Sequence, residues 1–341
     1  MGDGQPVPGS LYIYAPNKGA PIFFIIAFAI SAVGHIWQCY HYKCFKLIGL
    51  HPLCALMFTA GYALREYGAY NYVYYSTQNL IIYVLSQVFI FVCPPLLELA
   101  NYHILGRIFY YVPHLTPLAP NRVLSTFGGL MALVEALNAL GVSLGSNPTS
   151  SHSTQKLGSN LMIAALSIQL GVIVIFVILS SVFHRRCIKA KIHSRAVSTP
   201  LITLYVSMML ILVRCIYRLV EHLGNTTVQL DDLESLKTVS PILRYEWFFY
   251  IFEGILMLVN SVLWNIWNPG RYLPSNYLVY LAQDGKTEVQ GEDTPDTRPL
   301  IAKVGSVLTF GALFRKKNKD SRPFEELDDY PVTRQAQAGY A

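Results

Sequence analysis

Charge is scarce in this sequence. Asp, Glu, Lys and Arg make up 13% of its 341 residues, and hydrophobic residues make up 53%. In ordinary soluble domains about a quarter of the residues are charged. This shortage excludes an ordinary soluble domain and favours a protein embedded in a lipid bilayer. We expect membrane lipids or amphiphilic small molecules as partners, and no nucleic acid.

Motifs that carry catalysis or bind a cofactor are also missing. No two of the six cysteines form a C-x-x-C pair, and the nine histidines form neither H-E-x-x-H nor H-x-x-x-H. Such spacings are typical of metal and redox sites. A Walker-type glycine-rich loop is absent too, which argues against direct use of ATP. We therefore expect no enzyme, no metal and no other cofactor.

Long apolar runs are what the sequence has in abundance. A bilayer-spanning helix needs about 20 predominantly apolar residues. Seven such runs predict an all-α membrane protein, a bundle of seven transmembrane helices. The second and seventh runs are the least clean, because charged residues interrupt them. The predicted spans are 21–40, 52–70, 80–104, 124–145, 160–182, 201–222 and 245–267.

The connections between these runs differ in charge. Nine Lys and Arg residues occupy the connections on one side, against three on the other: Lys43, Lys46, Arg107, Arg122, Arg185, Arg186, Lys189, Lys191 and Arg195 against Lys18, Lys156 and Lys237. Positive residues favour the cytosolic side. We therefore predict an exoplasmic N-terminal segment (1–20), a membrane domain (21–267) and a cytosolic C-terminus. With no recognisable signal peptide at the start, the first span is expected to direct insertion.

Two short motifs fit this orientation. The sequon Asn225-Thr-Thr lies in the 223–243 connection, on the predicted outer side, and is a glycosylation candidate. Residues 268–341 are richer in charged residues, Thr and Pro, and predict a mostly disordered cytosolic tail. Within it Asp296, Leu300 and Ile301 match an acidic di-leucine signal read by sorting adaptors. We expect residence in the plasma membrane, with the vacuolar or endosomal membrane as alternatives.

Charges inside the spans are the strongest candidates for function. Arg214, Arg218 and Glu221 share one face of the sixth span by i, i+4, i+7 spacing. Glu246, Tyr250 and Glu253 share a face of the seventh in the same way. Since a charge in the bilayer interior costs at least a few kcal/mol, we expect the two faces to meet. Arg214 and Glu253 lie at equal depth, roughly 12 Å below the outer ends of their helices, and predict a buried ion pair.

Further polar residues lie at a similar depth in other spans, namely Arg65, Glu135, Asn138 and Gln169. Together the pattern predicts a polar cavity in the outer half of the bundle. Its candidate lining residues are Arg65, Glu135, Asn138, Gln169, Arg214, Arg218, Glu221, Glu246, Tyr250 and Glu253. Ion pairs that only fix the helix register are the alternative interpretation.

The span-six motif Arg214-x-x-Tyr217-Arg218-x-x-Glu221 resembles the R-x-x-[FY]-R-x-x-E signature of the fungal RTA-like lipid-translocating exporters. Gly61-Tyr62-x-x-Arg65 and Asn268-Pro269-Gly270-Arg271 agree with it. The resemblance implies a multi-pass protein that confers resistance to cationic amphiphiles or moves sphingoid-base-like lipids. Departures from the family pattern are Phe58 in place of an acid, and Met131 and Asn138 in place of Asp and Gln. Glu98 and Glu135 are additional acids.

Two functions follow as alternatives. The first is the movement of amphiphilic lipids, sphingoid-base-like or sterol-like, or resistance to them, with a head group bound in the polar cavity. Without an ATP motif, transport would run down a gradient or couple to protons carried by the intramembrane carboxylates. The second is a heptahelical receptor or lipid sensor that signals through its cytosolic loops and tail.

Overall fold

A computed structural model describes residues 6–73, 76–145, 152–192, 194–224, 240–282, 285 and 287–290. The glycosylation candidate Asn225 and the motif of Asp296, Leu300 and Ile301 lie outside these residues. The compact unit Met1–Thr294 contains every element described below, and the second unit, Pro295–Ala341, lies outside the described residues.

Seven long helices dominate the described part of the chain. Their bounds are Ala20–His41 (α1), Leu50–Tyr70 (α2), Thr77–Tyr111 (α3), Pro120–Gly145 (α4), His152–Lys189 (α5), Arg195–Leu223 (α6) and, for α7, the consecutive segments Glu246–Phe249, Tyr250–Ile255 and Leu256–Ile266. Short helical turns are Phe45–Ile48, Pro113–Leu115, Pro241–Arg244 and Pro269–Arg271. All seven predicted spans coincide with a long helix, although several helices extend beyond them.

Six of these helices, all but α2, are long and apolar enough to cross a membrane. The chain is thus an all-helical membrane protein. At 21 residues α2 is long enough, but it contains His51, Arg65 and Glu66 and is less apolar than the others. A seventh crossing and the sidedness of the termini therefore stay predictions.

The helices form a closed ring in which each packs against its neighbours in sequence, and α1 packs against α7. Two pairs of described helices also pack across the ring, α3 against α6 and, less extensively, α2 against α7. The core includes Phe28, Ile90 and Phe109, all fully buried. On the outer surface Ile30 and Val33 are each 68% exposed, as expected of side chains that face lipid acyl chains.

A π-helical turn, Tyr250–Ile255, interrupts α7. It brings the backbone of Gly254 against α1 and α2: a Cβ atom there would lie 2.6 Å from Phe24 Cζ and 2.9 Å from the Tyr62 hydroxyl. Only glycine permits this approach. Such turns occur mostly as single insertions within α-helices, often at functional sites.

The ends of the bundle are covered by short segments. Before α1, Ser10 pairs with Val73 in an isolated bridge, and Tyr12 and Tyr14 are buried. After α7, strands β1 (Val279–Leu281) and β2 (Glu288–Gln290) form an antiparallel hairpin. Arg107 of α3 donates to four backbone carbonyls between Pro274 and Val279. The predicted tail, which was expected to be mostly disordered, thus begins with a folded segment: Arg107 binds the backbone between Pro274 and Val279 to α3.

Candidate functional site

The predicted ion pair between α6 and α7 is formed. Arg214 Nε donates to Glu253 Oε2 at 2.7 Å, and the two side chains are 5% and 0% exposed. Arg218 Nε lies 3.7 Å from Glu253 Oε1, so one carboxylate faces two guanidinium groups. We call Arg214, Arg218, Glu221 and Glu253 the charged seam.

The open end of the charged seam is at Arg218. Its Nη1 donates to Glu221 Oε2 at 2.5 Å, and its Nη2 lies 3.3 Å from His222 Nε2. The guanidinium also stacks 4.2 Å above the Phe91 ring of α3. The Arg218 side chain is 17% exposed, the most of the four, so the seam is most accessible at this residue.

Glu246 and Tyr250 do not join the charged seam, contrary to the prediction that both helix faces meet. Instead they bind Arg65 of α2: Arg65 Nη2 lies 3.3 Å from Glu246 Oε1, and Arg65 Nε donates to the Tyr250 hydroxyl at 3.4 Å. Tyr250 in turn donates to Glu246 Oε1 at 3.0 Å. The cause is the π-helical turn, since its wider winding breaks the i, i+4, i+7 alignment of these residues with Glu253.

The segment before α1 closes over Arg65. The Tyr14 hydroxyl accepts a hydrogen bond from Arg65 Nη2 at 2.9 Å, and the backbone N–H of Asn17 donates to Glu246 Oε2 at 2.8 Å. The Phe249 ring lies 3.9 Å from the guanidinium. Burial raises the pKa of Tyr12 to about 12 and also raises the pKa of Tyr14. Both phenols therefore stay neutral at physiological pH and leave Arg65 paired with Glu246 alone.

A separate polar group links α3 and α5. Gln169 Nε2 donates to Glu98 Oε2 at 2.8 Å, and the Tyr102 hydroxyl donates to Glu98 Oε1. Glu98 is fully buried. This contact was not predicted, although Glu98 and Tyr102 stand four residues apart on one helix face and could have suggested it. Among the described residues no basic side chain forms an ion pair with Glu98.

Glu135 and Asn138 of α4 are both half-buried. Within the described part of the chain, neither forms a hydrogen bond or an ion pair. The charged group acting on Glu135 is Arg214, and Glu135 and Arg214 are the charged groups acting on Glu98. Glu135 therefore lies beside the charged seam without taking part in it.

Every arginine in these clusters has an acidic partner. Arg65 pairs with Glu246, Arg214 with Glu253, and Arg218 with Glu221 and more weakly with Glu253. These three arginines and three glutamates neutralise each other. The acids of the described helices that remain without an ion pair include Glu98 and Glu135 and, on α2, Glu66. Among the described residues no three His, Cys, Asp or Glu side chains are placed to hold a metal ion.

Comparison with known families now decides the identity of the domain. A family model described as RTA1 like protein matches residues 52–276, a stretch that holds all ten predicted site residues. The chain belongs to the RTA1-like family. This confirms the resemblance first seen in the span-six motif.

Curated relatives agree. The chain is 55% identical to "Lipid-translocating exporter-like protein RTA1" of Leptosphaeria maculans over 96% of its own length and 64% of that protein. It is 30% identical to a protein of the same name from Ajellomyces capsulatus, over 72% of this chain and 78% of that one. The chain is also 22% identical to "Probable lipid transporter atnI" of Emericella nidulans, over 78% of this chain and 69% of that protein. No solved structure matches the chain.

One departure from the RTA1-like pattern has a structural counterpart. Phe58 of α2, at a position where the resemblance leads us to expect an acid, is buried and stacks on Phe28 with ring centroids 4.5 Å apart. An acid at that position would lie in an aromatic cluster. Additional acids stand at Glu98 on α3 and Glu135 on α4.

Proposed function

We propose that this RTA1-like protein moves amphiphilic lipids across the membrane, or confers resistance to them, and that the substrates are sphingoid-base-like or sterol-like cationic amphiphiles. The head group would bind in the outer half of a seven-helix bundle whose N-terminus is outside, while the alkyl chain stays against apolar helix faces. The printed names of the relatives, lipid-translocating exporter and lipid transporter, support the lipid part of the proposal.

Glu135 carries the proposal. It is a half-buried carboxylate within a predicted span and forms no ion pair with the described residues. Glu66 of α2 is another, but Lys18 is the charged group acting on it, whereas Glu135 acts on Glu98. An ammonium head group would supply the missing counter-charge. Glu246 and Glu253 are less suited, because each already has an arginine and is buried. Asn138, one turn further along α4, offers the head group an additional hydrogen-bond partner.

A second acid, on α3, would take part in binding the head group at Glu135. Glu98 is fully buried and Glu135 is one of the charged groups acting on it, while its two oxygens already accept hydrogen bonds from Tyr102 and Gln169. A cation bound at Glu135 would therefore be stabilised by two negative groups, with Arg214 opposing it from the seam. This arrangement favours a weakly held head group, which a transporter needs in order to release its substrate.

The experiment is a translocation assay in vesicles that contain only this protein. The probe is a fluorescent long-chain amine, and the rate of its exchange between leaflets is measured. Loss of one charge-assisted contact, about 1.5 kcal/mol, corresponds to roughly a ten-fold lower rate. We therefore expect Glu135→Gln to slow exchange about ten-fold and Glu135→Asp to retain most of it.

Glu288→Gln is the control, because this acid lies in the hairpin outside the predicted spans and, among the described residues, its side chain accepts a hydrogen bond from the Tyr111 hydroxyl. Its exchange rate should equal that of the wild type. A Glu135→Gln variant with the wild-type rate would refute the head-group site. Absence of exchange above protein-free vesicles in the wild type would refute transport and favour the receptor or sensor alternative.

Residence in the plasma membrane belongs to the same proposal. A protein that lowers the cellular level of a toxic amphiphile acts most directly at the cell boundary. The motif of Asp296, Leu300 and Ile301 would then regulate retrieval through sorting adaptors. Fluorescent tagging of the full chain tests this, with Leu300→Ala and Ile301→Ala expected to abolish any endosomal or vacuolar fraction.

A further inference from the structure

A second polar cluster lies between α1, α2 and α7, away from the charged seam. It holds His35, His51 and Asn260, each at most 1% exposed. Asn260 is placed there by its position on α7, next to Ser261, which contacts His35, and one turn before Trp264, which packs on His51. The imidazole rings of His35 and His51 are stacked with centroids 5.5 Å apart. On α7, Asn260 follows Glu253 by seven residues, so it lies roughly 10 Å deeper along the helix.

Five polar atoms of this cluster have no hydrogen-bond partner. They are His35 Nδ1, both ring nitrogens of His51, and both amide atoms of Asn260. A buried polar group without a partner costs about 1–3 kcal/mol. By contrast, the neighbouring side chains are paired: Ser31 with Ser261 at 2.7 Å, and Trp264 Nε1 with Ser207 Oγ at 3.1 Å. His51 and Asn260 are thus side chains whose polar atoms are all unpaired, whereas Asn265 nearby lacks a partner only at Oδ1.

The surroundings of the cluster carry no charge. On α7, Ser261 lies 3.3 Å from His35 Nε2, and the Trp264 ring packs 5.3 Å from His51. On α1, Ser31 and Gln38 are the polar neighbours of His35 in the helix, and His35 is the titratable group that acts on His51. Among the described residues no Asp, Glu, Lys or Arg acts on either ring. A charged ligand would find no counter-ion here.

We infer that His35, His51 and Asn260 form a second binding site, for a neutral hydroxyl group. Together the neutral imidazoles and the amide offer both donors and acceptors, the combination that a hydroxyl needs. The hydroxyl comes either from bound water or from an amphiphile, and the second source rests on the proposed function. In that case the two sites divide the recognition: a cationic group at Glu135 and a hydroxyl group deeper in the bundle.

Thermal unfolding of the full chain in detergent tests the inference. The variants His51→Phe and Asn260→Leu replace the polar groups by apolar ones of similar size. If a hydroxyl ligand satisfies these groups, both variants lose its hydrogen bonds and their Tm falls. If removing the unpaired polar atoms raises the Tm and hexadecanol does not stabilise the wild type, the cluster binds no hydroxyl, and that pair of results would overturn the inference.

A pair of probes separates the two sources. Hexadecanol carries a hydroxyl, and its methyl ether has the same chain but no donor. A higher Tm with hexadecanol and not with the ether, lost in both variants, identifies an amphiphile hydroxyl. A lower Tm in the variants without any probe effect identifies water. Asn101→Leu is the control, since this amide is already paired with Ser207 at 2.9 Å, and it should keep the hexadecanol effect.

The comparison of hexadecanol with its methyl ether on the wild-type protein tests the inference even without the variants. If both variants fail to fold, a shift specific to hexadecanol still supports the site, and equal behaviour with alcohol and ether overturns it. Amine exchange through Glu135 is a separate measurement. A protein that translocates the amine but shows no hydroxyl site refutes this inference alone.

Discussion

At the residue scale, Glu253 is the central group of the charged seam. It is fully buried and faces two arginines, with Arg214 at 2.7 Å and Arg218 at 3.7 Å. Arg218 has a second acidic partner in Glu221, whereas Arg214 has no other ion pair among the described residues. The stability of the seam therefore depends more on the single glutamate than on either arginine.

This asymmetry predicts the order of three variants. Glu253→Gln leaves Arg214 as an uncompensated buried charge, which costs about 3–5 kcal/mol. Arg214→Gln costs less, because Arg218 still faces the glutamate. The double variant should be more stable than Glu253→Gln alone, since no unpaired charge remains. The measurement is the Tm of the purified protein in detergent.

Arg185→Gln serves as the control, because Arg185 is exposed at the end of α5 and forms no ion pair with the described residues. Its Tm should match that of the wild type. Strictly additive effects in the double variant would contradict a direct Arg214–Glu253 interaction. The double variant also bears on function: with wild-type amine exchange, the seam would be structural and the head group would not use it.

At the element scale, α7 shows how far the sequence predicts the site. Equal depth on two sequential helices was enough to pair Arg214 with Glu253, because that argument needs only the rise per residue. The assignment of Glu246 and Tyr250 to the same partner failed, because spacing rules assume an uninterrupted α-helix. A π-helical turn carries no reliable sequence signal, and Arg65 on α2 became their partner instead.

Gly254 tests the importance of that turn. An added Cβ would meet Phe24 and the Tyr62 hydroxyl at under 3 Å, and overpacking of this kind costs about 1–3 kcal/mol. We expect Gly254→Ala to lower the Tm and to weaken both the Arg65–Glu246 and the Arg214–Glu253 pairs, which flank the turn. Slower amine exchange should accompany the lower Tm.

Gly129→Ala is the matched helix glycine, with no atom within 4 Å of the added Cβ. There the substitution should stabilise the helix by roughly 0.5–1 kcal/mol, because alanine loses less conformational freedom on folding. Equal Tm changes in the two variants would show that the close approach at Gly254 is unimportant. A stabilised Gly254→Ala protein would show that α7 can straighten at no cost.

At the scale of the whole molecule, the apolar runs predicted the helices well and their membrane role less completely. All seven runs are helical, but α2 falls short in apolarity because it carries His51, Arg65 and Glu66. The structure shows why such a helix can still cross: Arg65 is 1% exposed and paired with Glu246, and His51 is buried against Trp264. These polar groups face the bundle and not the lipid.

Whether α2 crosses decides the sidedness of the termini. Seven crossings put the N-terminus and the C-terminus on opposite sides, and six put both on the same side. The excess of Lys and Arg in the connections predicts an outer N-terminus and a cytosolic C-terminus.

In sealed inside-out vesicles we therefore expect added protease to remove a C-terminal epitope and to spare an N-terminal one. Both epitopes should be lost when detergent opens the vesicles. Asn225 should carry a glycan, and endoglycosidase should remove it only after the vesicles are opened. Removal of both epitopes from sealed vesicles would show that α2 does not cross, and Arg65 and Glu246 would then need a different path to the same side of the membrane.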